Sequence, residues 1–107
     1  MSAFLTFSTP AFGESDDMLK QAEDLVHQAW NPAGDPPSYA QRTDLLTQAM
    51  KLLQNVPQHY LKGLRVQAIN DIKAALYEIK QGDPNNKATS YIRDADSRIR
   101  SALAITG

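Results

Sequence analysis

The chain has 107 residues, of which 21% are charged, and its formal net charge is −1. This length predicts one domain built around a single hydrophobic core. The nearly balanced charge argues against a protein that holds nucleic acid or anionic lipid by bulk charge, and the lack of cysteine excludes disulfides, thiolate zinc sites and cysteine nucleophiles.

Residues 1–13 are apolar and uncharged, and an acidic stretch that begins at Glu14 follows them directly. Ala11 and Gly13 place small residues at the third and first positions before a cleavage point, which is typical of a secretory signal peptide. No Lys or Arg precedes the segment, so we expect the remnant of an export signal on a periplasmic or extracellular protein. The alternative is an apolar arm of a cytoplasmic protein that packs on the domain or on a second copy. We expect residues 14–107 to form a single four-helix domain.

The first predicted helix follows Ser15 as its cap and extends to about Trp30, where Asn31 and Pro32 end it. Its apolar side chains recur every three or four residues, which places them on one face of a helix. This stripe consists of Met18, Leu19, Ala22, Leu25, Val26, Ala29 and Trp30. We expect it to face the core.

The second predicted helix begins near Asp35 or Ser38 and ends at the break from residue 55 to residue 57. The third extends from about residue 58 to residue 80 and contains Gly63 in its interior, where we expect close contact with a crossing helix or with the N-terminal arm. The apolar stripe of the second helix is Leu45, Leu46, Ala49, Met50, Leu53 and Val56. That of the third is Leu61, Leu64, Ala68, Ile69, Ile72, Ala75, Leu76 and Ile79.

The fourth predicted helix follows Asp83 and Pro84. Its apolar positions alternate spacings of four and three, and their small side chains permit close approach by a neighbouring helix. These positions are Ala88, Ile92, Ala95, Ile99 and Ala102. No segment alternates with period two for long enough to indicate a strand, so we predict an all-α fold.

The tripeptide Gly-Asp-Pro occurs twice, at residues 34–36 and 82–84. In each copy Gly can take the left-handed conformation that ends a helix, Asp can cap the next helix, and Pro fits its first turn. Two helical hairpins follow, and an antiparallel four-helix bundle is their natural arrangement. Internal duplication of one hairpin would explain the repeated tripeptide, and chance phasing of amphipathic helices would explain it as well.

His27 follows Glu23 by four residues and Asp24 by three, which places carboxylate and imidazole groups on one helix face. A carboxylate-bridged di-iron centre needs a second Glu and His pair, and the other histidine, His59, has no acidic residue within four positions. We therefore predict no metal site and no cofactor, and expect His27 to be a surface residue.

Close acidic pairs also have a simple structural interpretation. Asp16 and Asp17 suit the start of a helix, whereas Asp94 with Arg98 and Asp96 with Arg100 suit solvated ion pairs one turn apart. No acid is expected where burial would shift its pKa, so we predict no catalytic residues and no enzymatic activity. The two Asp residues also weaken the basic face of the fourth helix, so we do not expect nucleic acid as a partner. That face carries Lys87, Arg93, Arg98 and Arg100.

Trp30 ends the first helix beside the proline-rich residues 31–37, and Tyr39 lies on the same side of the predicted hairpin. Trp30 would either stack on proline and lock the turn or act as an exposed anchor, since Trp and Tyr are frequent at binding hot spots. We predict a non-enzymatic protein–protein interaction or self-association module with His27, Trp30 and Tyr39 as candidate partner-binding residues. The alternative is a bundle that binds a small ligand or a metal near the same three residues. No apolar run approaches the roughly 20 residues that span a bilayer, so no transmembrane segment is expected.

Overall fold

The computed structural model describes residues 12–31, 33–35, 37–56 and 63–106. These residues form four α-helices and no strand: α1 (Phe12–Trp30), α2 (Tyr39–Gln54), α3 (Leu64–Lys80) and α4 (Ala88–Thr106). The all-α prediction is therefore confirmed. Each helix is long enough to present three or more turns of apolar side chains to its neighbours.

The helices contact one another in a ring, in which consecutive helices pack together and α4 closes against α1. Two hydrogen-bonded pairs give the relative direction of α1 and α4. Glu23 pairs with Arg100, whereas Trp30, which lies later in α1, pairs with Asp96, which lies earlier in α4. These two helices are antiparallel, as a bundle of two hairpins requires.

All four helices contribute small and branched aliphatic side chains to one core. Burial of each large aliphatic side chain contributes about 1.5–3 kcal/mol, and the many alanines let the helix axes approach closely. The buried set is Leu19, Ala22, Val26, Ala29, Leu46, Ala49, Leu53, Val56, Ala68, Ile69, Ile72, Ala75, Ile79, Ala88, Ile92, Ala95, Ile99 and Ala102. The predicted stripe of α4 lies entirely within this set.

Helix α1 begins earlier than its sequence predicts. It starts at Phe12, so Ser15 lies inside the helix and does not precede it as a cap. No proline lies between Pro10 and Ser15, so nothing in this stretch prevents an earlier helix start. A residue that favours the cap position is also tolerated inside a helix, and the cap signal alone therefore predicted a start that is too late. Residues 1–11 lie outside the described residues, and the export signal stays a prediction.

Gly63 precedes α3 and is not in its interior, contrary to our prediction. The helix begins at Leu64, and the part of the predicted third helix from residue 58 to residue 62 lies outside the described residues. Gly63 has a φ of 86°, a left-handed conformation that favours glycine, and a Cβ placed there would meet no atom of the described residues within 4 Å. The backbone conformation explains this glycine without close packing of a described helix, and residues 1–11 of the predicted N-terminal arm lie outside the described ranges.

The turn between α1 and α2 does not use its Gly-Asp-Pro tripeptide as predicted. Asn31 takes the left-handed conformation directly after α1, with a φ of 40°, and its side-chain Nδ2 donates to the carbonyl of Asp35 at 2.6 Å. Gly34 does not adopt a left-handed φ. Ser38 caps α2, and it forms a capping box with Gln41 in which each side chain accepts the other residue's backbone N–H. Of the two predicted starts of this helix, the one at Ser38 is correct.

The turn between α3 and α4 uses the glycine and the aspartate of its tripeptide as predicted, whereas Pro84 lies in the loop before α4 and not in its first turn. Gly82 has a φ of 86°, its N–H donates to the carbonyl of Ile79, and the N–H of Asp83 donates to that of Glu78, which is the Schellman pattern. The buried Asp83 carboxylate then accepts the N–H groups of Lys87 and Ala88 at 2.9 and 3.0 Å. The Asp83 carboxylate thus caps α4 from the other side of a short loop, and α4 starts at Ala88 and not at Pro84.

Candidate functional site

The last two turns of α1 bring His27 and Trp30 together against α4. Their ring centroids lie 5.9 Å apart with the planes at 77°, an edge-to-face arrangement. Both side chains reach the same atom of Asp96: Trp30 Nε1 donates to Asp96 Oδ2 at 2.9 Å, and His27 Nδ1 lies 3.2 Å from that oxygen. Trp30 therefore joins α1 to α4 through this hydrogen bond, a role that its sequence position did not indicate.

Asp96 is buried, which corrects the prediction that it forms a solvated ion pair with Arg100. Its relative exposure is 2%, because it lies beside Ala95 on the face of α4 that packs against α1. The predicted pair of Asp94 and Arg98 is also wrong. Arg98 donates across to α3 instead, through Nε to Asp71 Oδ2 at 2.6 Å and through Nη1 to Gln67 Oε1 at 2.9 Å.

Arg100 and Glu23 complete the cluster at the edge of this helix pair. Arg100 Nε donates to Glu23 Oε2 at 3.1 Å, and Arg100 Nη2 lies 3.1 Å from His27 Nδ1. The guanidinium also approaches Asp96, with Nε 3.4 Å from Oδ1, but Asp96 Oδ1 accepts no hydrogen bond among the described residues. A buried carboxylate oxygen without a hydrogen bond is unusual and costly.

The two carboxyl groups of the cluster titrate differently. The pKa of Glu23 is raised, first by hydrogen bonding to the Asp96 carboxyl and then by burial. Burial alone would raise the pKa of Asp96, but hydrogen bonds from Glu23, Trp30 and His27 outweigh it and lower that pKa. The pKa of the exposed Arg100 is raised, chiefly by its hydrogen bond to Glu23. The expectation that no acid would have a pKa affected by burial is therefore wrong.

Three side chains of the cluster are of the kinds that bind metal ions. One ligand atom each from Glu23, His27 and Asp96 lie within 4.8 Å of one another. The pairing of Glu23 with His27 was visible in the sequence as two residues one turn apart on α1. The contribution of Asp96 was not, since nothing in the sequence indicates which residue of α4 faces them.

Tyr39, the third candidate residue, lies elsewhere. Its side chain is 46% exposed in the first turn of α2, and the guanidinium of the buried Arg42 lies 5.9 Å from its ring centroid. Within the described parts of the chain, no hydrogen bond or ring contact joins Tyr39 to His27 or Trp30. The structure thus brings together two of the three candidate residues.

Two concavities of about 590 and 440 Å³ are lined by residues of α1, α2 and the turn that joins them. Their apolar residues are Leu25, Pro37, Leu45 and Leu52. The three leucines are half-buried: they pack against the edge of the core and also line this surface. Its charged residues are Asp24, Asp35, Asp44 and Lys51, and its amides are Gln21, Gln28, Asn31, Gln41, Gln48 and Asn55. We call this surface the outer groove. Sequence reasoning did not identify it, although the position of Leu25 beside Asp24 and Gln28 was a weak signal.

The chain matches no known family model, no curated protein and no solved structure. Within the described residues, no helix combines the length and the apolar character needed to cross a membrane.

Proposed function

We propose that this protein is a non-enzymatic module that binds a partner protein through the outer groove between α1 and α2. The observation that supports this proposal is the placement of Leu25, Leu45 and Leu52. These leucines are only half-buried: they pack against the edge of the core and leave part of their surface lining the concavities between the two helices. A concave surface between two helices that presents leucine beside polar residues is the kind of surface that accepts an amphipathic helix.

The charges of the groove define the chemistry of this partner. Three aspartates and one lysine, Lys51, line it, which gives a net charge of −2. A complementary helix would carry leucine-like residues at spacings of three and four along one face and cationic residues beside them. His27 and Trp30 would contribute indirectly, since their contacts with Asp96 fix the position of α1. Tyr39 would act as an exposed aromatic residue near the end of the same helix pair.

The proposal can be tested with a synthetic probe. We would titrate the isotopically labelled protein with an amphipathic helical peptide of leucine and lysine, and record backbone amide shifts by NMR. Saturable shifts should concentrate at Gln21, Leu25, Gln48 and Leu52, because these residues line the groove. A peptide with glutamate in place of lysine should bind at least about tenfold more weakly, because its charge has the same sign as the groove.

Matched variants make this test specific. Leu25→Glu should abolish the shifts while the helical circular dichroism signal is retained, because this half-buried side chain lines the groove. Arg93→Glu, at an exposed position of α4, should leave them unchanged. Shifts confined to α3 and α4, or equal binding of both peptides, would contradict the proposal. If the same groove residues shift with protein concentration alone, the occupant is a second copy and not a partner.

A further inference from the structure

We propose that Glu23, His27 and Asp96 form a binding site for a divalent transition-metal ion of the Zn²⁺ type, and that Arg100 is the group that the ion displaces. The site is distinct from the outer groove, because it lies between α1 and α4. Its geometry is suitable: the three ligand atoms lie within 4.8 Å of one another, as they must to share one ion.

The ligand set determines the class of ion. One imidazole nitrogen and two carboxylate oxygens suit Zn²⁺, Co²⁺ or Ni²⁺, whereas Mg²⁺ and Ca²⁺ prefer oxygen ligands alone. Glu23 and His27 are one turn apart on α1, with 3.9 Å between Glu23 Oε2 and His27 Nδ1, and Asp96 faces them from α4. Three protein ligands leave a further coordination position open to water.

Asp96 is buried, and its carboxylate is held in one orientation, as a metal ligand between two helices requires. Its side chain is 3% exposed, and its Oδ2 is held by Trp30 at 2.9 Å. Its Oδ1 accepts no hydrogen bond from the described residues, and Arg100 Nε, 3.4 Å away, donates to Glu23 instead. The indole N–H thus orients the carboxylate in the manner of an outer-shell partner and leaves one buried lone-pair oxygen available to a cation.

His27 Nδ1 faces two groups with opposite demands. Asp96 Oδ2, at 3.2 Å, requires a proton on Nδ1, whereas Arg100 Nη2, at 3.1 Å, requires a lone pair there. A single nitrogen cannot satisfy both at once. A metal ion coordinated by Nδ1, Glu23 and Asp96 removes this conflict, because the lone pair then binds a cation that the carboxylates share.

Arg100 occupies the position of the cation in the metal-free protein and is free to leave it. Its side chain is 57% exposed, so it can turn into solvent without opening the core. Because metal binding must break its contact with Glu23, removal of the guanidinium should strengthen binding. Stronger metal binding after the loss of Arg100 distinguishes a metal site from an ion-pair network that only holds two helices together.

The test is a titration of the untagged full chain with Co²⁺, followed through its visible absorption, and a competition with Zn²⁺ by calorimetry. We expect one ion per chain. His27→Ala and Glu23→Gln should each weaken binding more than about tenfold, since each removes a ligand from a partly exposed position without emptying the core. Arg100→Gln should strengthen binding about tenfold, because a charge-assisted contact no longer competes. Trp30→Phe should weaken it about tenfold through the orientation of Asp96.

Two control variants separate this site from adventitious binding. Asp94→Asn removes an exposed carboxylate of α4, and His59→Ala removes the other histidine of the chain; both should bind Co²⁺ as the parent does. The proposal is overturned if neither the parent nor Arg100→Gln shows a Co²⁺ band at millimolar concentration. It is equally overturned if His27→Ala binds as tightly as the parent, or if Arg100→Gln binds more weakly.

Discussion

The two Gly-Asp-Pro turns share a tripeptide and differ in nearly every conformational detail. In the second turn, Gly82 ends α3 in the left-handed conformation and Asp83 caps α4. In the first turn, Asn31 takes the left-handed conformation and Ser38 caps α2, so neither glycine nor aspartate has its predicted role. The same three residues mark both turns, but their neighbours decide which atoms make the hydrogen bonds.

The physical reason lies in the residues beside each tripeptide. Asn31 follows α1 directly, and asparagine tolerates the left-handed region, so the helix ends at Trp30, four positions before Gly34. Ser38 with Gln41 then forms a capping box, which satisfies two backbone N–H groups at the start of α2 without the Asp35 carboxylate. A repeated motif therefore predicts a turn more reliably than it predicts the conformation of the turn. Internal duplication stays a prediction, and the tripeptide alone is weak support for it.

The largest expected difference between the turns is in their aspartates. Asp83→Ala should lower the free energy of unfolding by about 2 kcal/mol, because two backbone N–H groups, one of them buried, lose their acceptor. Asp35→Ala should change it by less than about 0.5 kcal/mol, because this exposed residue contributes its backbone carbonyl to the turn. Thermal unfolding followed by circular dichroism would measure both, and equal melting temperatures would show that the turns are alike.

The next difference is in the left-handed positions. Gly82→Ala should destabilise the protein by about 1 kcal/mol, because it places a Cβ at a positive φ. Asn31→Ala should cost about as much, because alanine tolerates the left-handed region less well than asparagine and the hydrogen bond to Asp35 is lost. Gly34→Ala should cost less than Gly82→Ala, because Gly34 has no left-handed φ, although the Asn31 amide nitrogen, 3.2 Å from the new Cβ, must shift by a few tenths of an ångström. Urea unfolding of the three variants provides the comparison. If Gly34→Ala loses as much stability as Gly82→Ala, the glycine of the first turn is needed to end α1, contrary to this prediction.

Helix capping offers a smaller test. Ser38→Ala should cost about 0.5–1 kcal/mol, at the lower end of capping effects because the hydrogen bond to Gln41 is 3.2 Å long and exposed. In the same urea series, Ser38→Asp should retain the stability of the parent, because aspartate is an equally good cap. If Ser38→Ala unfolds at the same urea concentration as the parent, the cap of α2 is formed by another group.

The smallest expected effect concerns the contact that joins the two hairpins. The pKa of Asp96 is lowered in the folded protein, so its ionised form stabilises the fold above the unfolded value of about 4, and this contribution is lost as the pH falls through the folded value. Asp96→Asn should therefore show a shallower loss of stability in acid than the parent. Asp94→Asn, on the exposed face of α4, should follow the parent curve. Identical acid unfolding of all three proteins would contradict the lowered pKa.

Much of the fold could be read from the sequence, because the physics involved is local. Apolar residues at spacings of three and four identified all four helices, and the alternation from Ala88 to Ala102 predicted the buried face of α4 residue by residue. Helix starts were less accurate: α1 begins before Ser15 and α3 is preceded by Gly63, because several residues near a terminus satisfy the same capping preferences.

The candidate sites were also predictable within one helix and not between helices. The sequence by itself determined that Glu23 and His27 share one face of α1, since helical geometry relates residues one turn apart. Only the tertiary structure decided that Asp96 is buried against Trp30 and not solvated beside Arg100, and that Leu25 is half-buried at the edge of the core and also lines the outer groove. Periodicity orients a side chain relative to its own helix axis. Which residue of another helix meets it depends on the rotation and offset with which two helices pack, and these are set by the whole core at once.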